Sequence, residues 1–245
     1  MTEMNNGAVV LDHVSKAFGD KQVLRDITLS VERNEALCIV GRSGTGKSVT
    51  LKLIIALLKP DVGRVWVDGD DITRLEGQEL SRVRRKMGFL FQNAALFDFL
   101  TLYDNLALPL RRLTKKSCHE IEEVIDRVLQ RVGLSGDRQK MPAELSGGMR
   151  KRAGLARALV LEPRILLVDE PSSGLDRLTA SEIDDLLLEQ KGQTTMIIVT
   201  HDVHGARRVG DRIAVLDRGE LAALGKPGDL EHHENETVRK LVTEE

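Results

Sequence analysis

The octapeptide Gly41-Arg42-Ser43-Gly44-Thr45-Gly46-Lys47-Ser48 constrains what this chain can fold into more than any other feature. It follows an apolar run, Ala36 to Val40, that reads as a buried strand. It precedes Leu51, Ile54, Ile55 and Leu58, whose spacing predicts one buried helix face, ended by Pro60. A G-x-x-x-x-G-K-S/T segment between strand and helix is a phosphate-binding loop. Its glycines let successive backbone N–H groups turn toward phosphate oxygens, and the helix adds its positive N-terminal end. Lys47 supplies a point charge for the β- and γ-phosphates of a nucleotide such as ATP, and the Ser48 hydroxyl suits a Mg2+ shell. Arg42, Ser43, Thr45 and Val49 belong to the same loop and helix start and are candidate nucleotide contacts.

Further short apolar runs, residues 165–169, 196–200 and 213–216, alternate with helical periodicity, which predicts a layered α/β fold with a largely parallel sheet. In such sheets chemistry gathers at the carboxyl ends of the strands, which here read Gly41, Asp169-Glu170 and Thr200-His201. Adjacent strand residues point to opposite sides, so Asp169 and Glu170 serve different roles. Asp169 is the candidate Mg2+ ligand, and Glu170 the candidate that orients or deprotonates the attacking water.

Between residues 93 and 161 the strand-like runs give way to helical patterning, as in Ile121, Val124, Ile125, Val128, Leu129 and Val132, stopped by Gly133. We read this stretch as a helical subdomain inserted into the sheet domain. It contains Leu145-Ser146-Gly147-Gly148-Met149, in which Ser146 suits an N-cap and the two glycines leave bare amides at a helix start. That is a second anion site. One nucleotide in one subunit has no use for both, but two copies packed head to tail could each face the other's Ser-Gly-Gly helix across an ATP.

Composition removes several alternatives. The 245 residues carry 36 basic and 38 acidic side chains, a net charge of −2, so no overall basic field holds a nucleic acid. Aromatics at 3% are too few for a base-stacking surface. The basic clusters around Arg82, Arg111 and Arg150 read as solvated helix faces. Cys38 and Cys118 lack metal-ligand spacing and fit a reducing compartment. The N-terminal MTEMNNGAVV lacks signal-peptide patterning, and the aliphatic stretch 53–58 is far shorter than a membrane span. Residues 231–245 read as an acidic, solvated and mobile tail.

Taken in order, these motifs resemble those of ABC-transporter ATPases over nearly the whole chain. The Ser146 segment resembles the signature sequence of that family. Phe18 resembles the aromatic residue that stacks on adenine, with a core or turn phenylalanine as the other reading. Gln92 resembles the Q-loop glutamine that senses Mg2+ and γ-phosphate. Ser173-Gly174-Leu175-Asp176 resembles the D-loop at a dimer interface, and His201 the switch histidine that contacts the γ-phosphate. The resemblance implies a P-loop NTPase (RecA-like) α/β core with an N-terminal antiparallel ABC β-subdomain and an inserted α-helical subdomain. The ATPase domain would span residues 8–230, with the core in 8–92 and 162–230 and the helical subdomain in 93–161. It implies an ATP-hydrolysing subunit that binds ATP and Mg2+ and works as a homodimer with permease subunits, peripherally on the cytoplasmic face of the inner membrane.

Met149 in the signature, where glutamine is common, and the Q-loop continuation from Phe91 to Asn105 are similar to the ATPase of MCE-type (Mla-like) phospholipid transporters. Phe99 departs from the small polar residue expected there. This resemblance implies an MCE-type lipid-binding partner and a small regulatory subunit. Other readings are an ABC importer for an amino acid or metal, or a non-transport ABC protein. The apolar residues Leu96, Phe97 and Phe99 admit two readings: contact with a permease, or packing into the helical subdomain.

Overall fold

The computed structural model describes residues 7–243. At the N-terminus, β1 (Val9–Phe18) and β2 (Lys21–Val31) form a hairpin, and β1 also pairs with β4 (Val62–Val67). With the short β5 (Asp70–Asp71) these make an antiparallel sheet of order β2-β1-β4-β5.

The second sheet is built on β3 (Ala36–Val40), β6 (Met87–Leu90), β7 (Ile165–Asp169), β8 (Thr195–Val199), β9 (Arg212–Asp217) and β10 (Glu220–Gly225), in the order β10-β9-β3-β8-β7-β6. All its pairings are parallel except β9 with β10. β3, β7 and β8 are buried along their whole length, as expected of strands covered on both faces. Alternation decides which cluster each residue joins. Leu37, Ile39 and Leu167 meet α1 (Lys47–Ile54) and the antiparallel sheet, whereas Cys38, Val40, Leu166 and Val168 face the opposite helical layer. α2 (Gly77–Arg84) lies before β6.

Among the described residues no strand interrupts residues 91–164. There α3 (Leu102–Leu113), α4 (Cys118–Arg131) and α5 (Gly147–Leu159) enclose a third cluster centred on Leu106, Leu110, Ile125 and Leu129. α4 opens on a capping box in which Ser117 and Glu120 satisfy each other's backbone amides. α6 (Arg177–Leu188), α7 (Val203–Val209), α8 (Pro227–Leu230) and α9 (Glu236–Thr243) complete the chain. No described helix is long and apolar enough to cross a membrane.

Two expectations need correction. α1 stops at Ile54, short of Leu58. Ala56 N–H donates to the Leu53 carbonyl (3.0 Å) and Leu57 N–H to that of Lys52 (2.8 Å), with Ala56 at φ +55°. This is a Schellman ending made without glycine, which is why the periodicity missed it. Second, the tail is not a solvated strand of chain. Val238 and Val242, one helical turn apart on α9, are 0% and 1% exposed against the layer that contains α7. Glu231 pairs with Arg207 of α7, and Arg239 Nη1 donates to the His233 carbonyl at 2.6 Å. The signal-peptide reading of residues 1–6 lies outside the described residues, as do the last two residues of the tail.

Candidate nucleotide site

The loop between β3 and α1 needs glycine at its last turn. Gly46 has φ +103°, and a Cβ there would come within 2.4 Å of Leu24 Cδ2. α1 therefore starts without a side-chain cap, leaving its first amides directed outward. Lys47 is 7% exposed; its Nζ donates to the carbonyls of Gly41 (2.8 Å) and Arg42 (3.2 Å) and lies 3.9 Å from Glu170 Oε1. Burial pulls its pKa down, while the Glu170 and Asp169 charges oppose that. Thr45 Oγ1 ties the loop by donating to the Arg42 carbonyl at 2.9 Å.

Across the loop, β7 delivers its two carboxylates in different directions. Asp169 Oδ1 accepts from the Ser48 hydroxyl at 2.8 Å, so a hydroxyl and a carboxylate oxygen stand side by side. Burial raises the Asp169 pKa against the pull of that hydrogen bond. Glu170 leaves strand geometry for φ +49°, and its Oε2 lies 2.6 Å from His201 Nδ1 at the end of β8. The backbone N–H of His201 also donates to Oε2, at 3.3 Å.

Lys47, Ser48, Glu170 and His201 face one cleft of about 700 Å³, together with Phe18, Ser43, Gly44, Gly46, Val49 and Gln92, whereas Gly41, Arg42, Thr45 and Asp169 are not part of its lining. Phe18 sits at the end of β1, 47% exposed, with the Lys16 ammonium 5.5 Å from its ring centre. An exposed ring at the cleft mouth suits a stacking surface better than a core position. Ser173, the first residue of the segment that resembles the D-loop, also lines the cleft, as do Lys21 and Val23, which the sequence does not single out. Lys21 follows Phe18 across a two-residue turn, the one signal that could have flagged it.

A match to the family described as "ABC transporter" covers residues 24–173, from β2 to the residues just beyond Glu170. The chain belongs to the ABC transporter ATPase family. This ABC ATPase is 44% identical, over 96% of its own length and 68% of the relative's, to a probable ribonucleotide transport ATP-binding protein, mkl, of Mycobacterium leprae. It is 40% identical, over 92% of its length and 64% of the relative's, to the sulfate/thiosulfate import ATP-binding protein CysA of Gloeobacter violaceus. The chain thus spans about two thirds of these curated relatives. Among solved structures it resembles the dimeric ATP-binding cassette MJ0796 bound to ADP and Pi, at 35% identity and TM-score 0.82, over 89% of this chain and 98% of that one.

In the ABC ATPase the signature residues do not line the cleft. Ser146 caps α5 by accepting from Met149 N–H at 3.2 Å, and Gly147 and Gly148 form the first turn. A Cβ on Gly148 would lie 2.4 Å from Thr179 Cγ2 on α6. Asp176 is spent locally: it caps α6, accepting from the amides of Leu178 (3.1 Å) and Thr179 (3.0 Å). Ser146, Gly147, Gly148, Met149 and Asp176 therefore form a second group, away from their own subunit's phosphate loop. The 94–100 stretch divides between its two readings. Ala94 and Leu96 pack inward, whereas Phe97 and Phe99 are 37% and 76% exposed with ring centres 5.7 Å apart.

Proposed function

We propose that this ABC ATPase works as a homodimer that closes on two ATP, each gripped by the phosphate loop of one copy and capped by the Ser146-Gly147-Gly148 helix start of the other. The observation that carries this reading is the separation of the two anion-binding features within one chain. The bare amides of α5 serve no group in their own cleft. The dimeric cassette among the solved relatives supports the same stoichiometry.

Within each site the chain's residues divide the work. The P-loop amides and Lys47 hold the phosphates. Ser48 Oγ and Asp169 Oδ1, already adjacent, form with Gln92 an all-oxygen donor set that fits Mg2+. When bound, that ion would neutralise charge on the nucleotide's phosphates. Glu170 orients the attacking water and takes its proton, and His201, hydrogen-bonded to it, reports the γ-phosphate. Phe18 stacks on the base. Closure and reopening of the dimer pull on two permease subunits, with the exposed Phe97 and Phe99, which follow Gln92 in the chain, as the contact, at the cytoplasmic face of the inner membrane.

For the substrate we propose phospholipid, handed between the permease and an MCE-type protein, with a small regulatory subunit attached. Met149 and the 91–105 segment support this. The 40% identity to a sulfate/thiosulfate importer favours a second reading, uptake of a small oxyanion. Purifying the complex from its membrane decides between them: co-purified phospholipid and an MCE-type subunit support the first, and a lipid-free complex with a soluble binding protein the second.

Glu170→Gln tests the mechanism. ATP binding persists, hydrolysis falls by at least about 10²-fold, and size-exclusion with light scattering shows an ATP-dependent dimer. Turnover near wild type, or a monomer under all nucleotide conditions, refutes it.

A further inference from the structure

α5 belongs to two neighbourhoods at once. Ala153 and Ala156 are buried in the helical cluster, while Leu155 and Ala158 join the layer beneath the central sheet. Between its Ser-Gly-Gly start and that packed region lies Lys151, a lysine only 6% exposed. Its Nζ donates to the backbone carbonyl of Glu170 at 2.6 Å, a charge-assisted bond to a main-chain acceptor.

That carbonyl belongs to an unusually placed residue. Glu170 has φ +49°, where the Cβ of any non-glycine residue crowds the backbone, and Pro171 follows it, which further disfavours helical geometry. Such a conformation persists only where its surroundings over-determine it. Here Glu170 N–H donates to the Val199 carbonyl at 2.8 Å, holding one side of the peptide to the sheet. Lys151 holds the other side. The direction in which the Glu170 carboxyl leaves the backbone follows from both. Burial lowers the Lys151 pKa, while the Glu170 and Asp169 charges oppose this and favour the ammonium.

We infer that Lys151 is a positioning residue that fixes Glu170 through its carbonyl and thereby ties the Ser-Gly-Gly end of α5 to the carboxylate of the same subunit. The inference rests on the reading of Glu170 as the group that orients water. Gly148 precedes Lys151 by three residues, about 4.5 Å along the helix axis. In the proposed dimer this end of α5 touches the partner's ATP, so a movement of α5 on that nucleotide is delivered to the subunit's own Glu170. The two sites are then coupled without a direct contact between nucleotides.

Lys151→Met removes the donor while keeping the length and volume of the side chain. The expected result is a kcat lowered about 10- to 100-fold, a KM for ATP within about 2-fold of wild type, and a Hill coefficient that falls toward one. The deciding measurement repeats the substitution in the Glu170→Gln background, with radiolabelled ATP to follow residual turnover. If Lys151 acts through Glu170, the second substitution changes the residual rate by less than about 2-fold. An equal fall in both backgrounds, or an unchanged kcat in the single variant, overturns the inference. Near-normal turnover of Glu170→Gln alone is a separate outcome: it removes the reading of Glu170 and, with it, this proposal. If Lys151→Met does not fold, Lys151→Gln, a shorter neutral donor, is carried through the same two backgrounds with a smaller expected fall and the same two decisions.

Discussion

Replacing Asp184 by Asn should stabilise the protein, and only above acidic pH. Asp184 lies on α6 and is 6% exposed. A Cβ on Gly205 would stand 3.1 Å from both its carboxyl oxygens and 3.0 Å from Asp202 Oδ2, so two carboxyls converge on one point of α7. Burial, then the Asp202 charge, push the Asp184 pKa from 3.8 up to about 6; Asp185 adds to this, and Arg208 and His204 oppose it. The folded state therefore holds this proton more tightly than the unfolded chain. The stability that Asp184 itself contributes is fully present below pH 3.8 and is lost as the pH rises to about 6. At about 1.4 kcal/mol per pH unit, the ionised carboxylate costs the fold about 3 kcal/mol above pH 7. Asparagine keeps the shape and removes the charge. Urea unfolding followed by circular dichroism between pH 4 and pH 8, at constant ionic strength, should show a gap between variant and wild type that starts below about 1 kcal/mol and approaches about 3 kcal/mol. In a thermal melt near pH 8 that gap corresponds to about 6–12 °C. A gap independent of pH, or a variant less stable than wild type at pH 8, would refute the argument.

Val238→Asp places a charge at a position 0% exposed. It should release α9, cost about 2–3 kcal/mol and open the tail to limited proteolysis; an unchanged melt and digestion pattern would mean that the helix does not dock. Ser146→Ala removes the α5 cap, costing about 1 kcal/mol of stability. It should lower hydrolysis while calorimetry on the isolated subunit shows unchanged ATP affinity, whereas a weakened monomer affinity would place the signature in its own subunit's cleft.

Much of this was readable from sequence because the motifs sit at strand ends. Four aliphatic residues before Asp169 leave little choice but a buried strand with a polar tip, and Gly46-Lys47-Ser48 leaves little choice but a turn into a helix. What was not readable depends on contacts between distant segments. Ala56 adopts a left-handed conformation that its side chain does not advertise. Val238, Leu241 and Val242 make a single apolar triplet at helical spacing in an otherwise polar segment, too short a pattern to separate a docked helix from a solvated one; only their packing against the α7 layer decides it. Lys151 looks like one of a run of surface cations, Arg150 to Arg152, until the fold brings the Glu170 carbonyl to it.

That last contact bears on why the chain is divided as it is. The phosphate loop, Asp169, Glu170 and His201 all hang on the parallel sheet and share one frame. Gly148 meets Thr179, and Thr179 is bound to Asp176 through its amide (3.0 Å) and its hydroxyl (2.7 Å), so the starts of α5 and α6 form a second frame. A Cβ at 148 would meet Thr179 Cγ2 at 2.4 Å, so the Thr179 side chain or the start of α5 would have to shift. Lys151 is the buried cation that spans from the second frame to the first, and it ends on a residue held in the left-handed region at φ +49°. A carboxylate held in a disfavoured conformation by a neighbouring helix can be put in or out of register by that helix, whereas one in an ordinary strand conformation could not. If Glu170 orients the attacking water as proposed, the strain at its backbone is the physical condition for the two halves of the chain to influence one reaction.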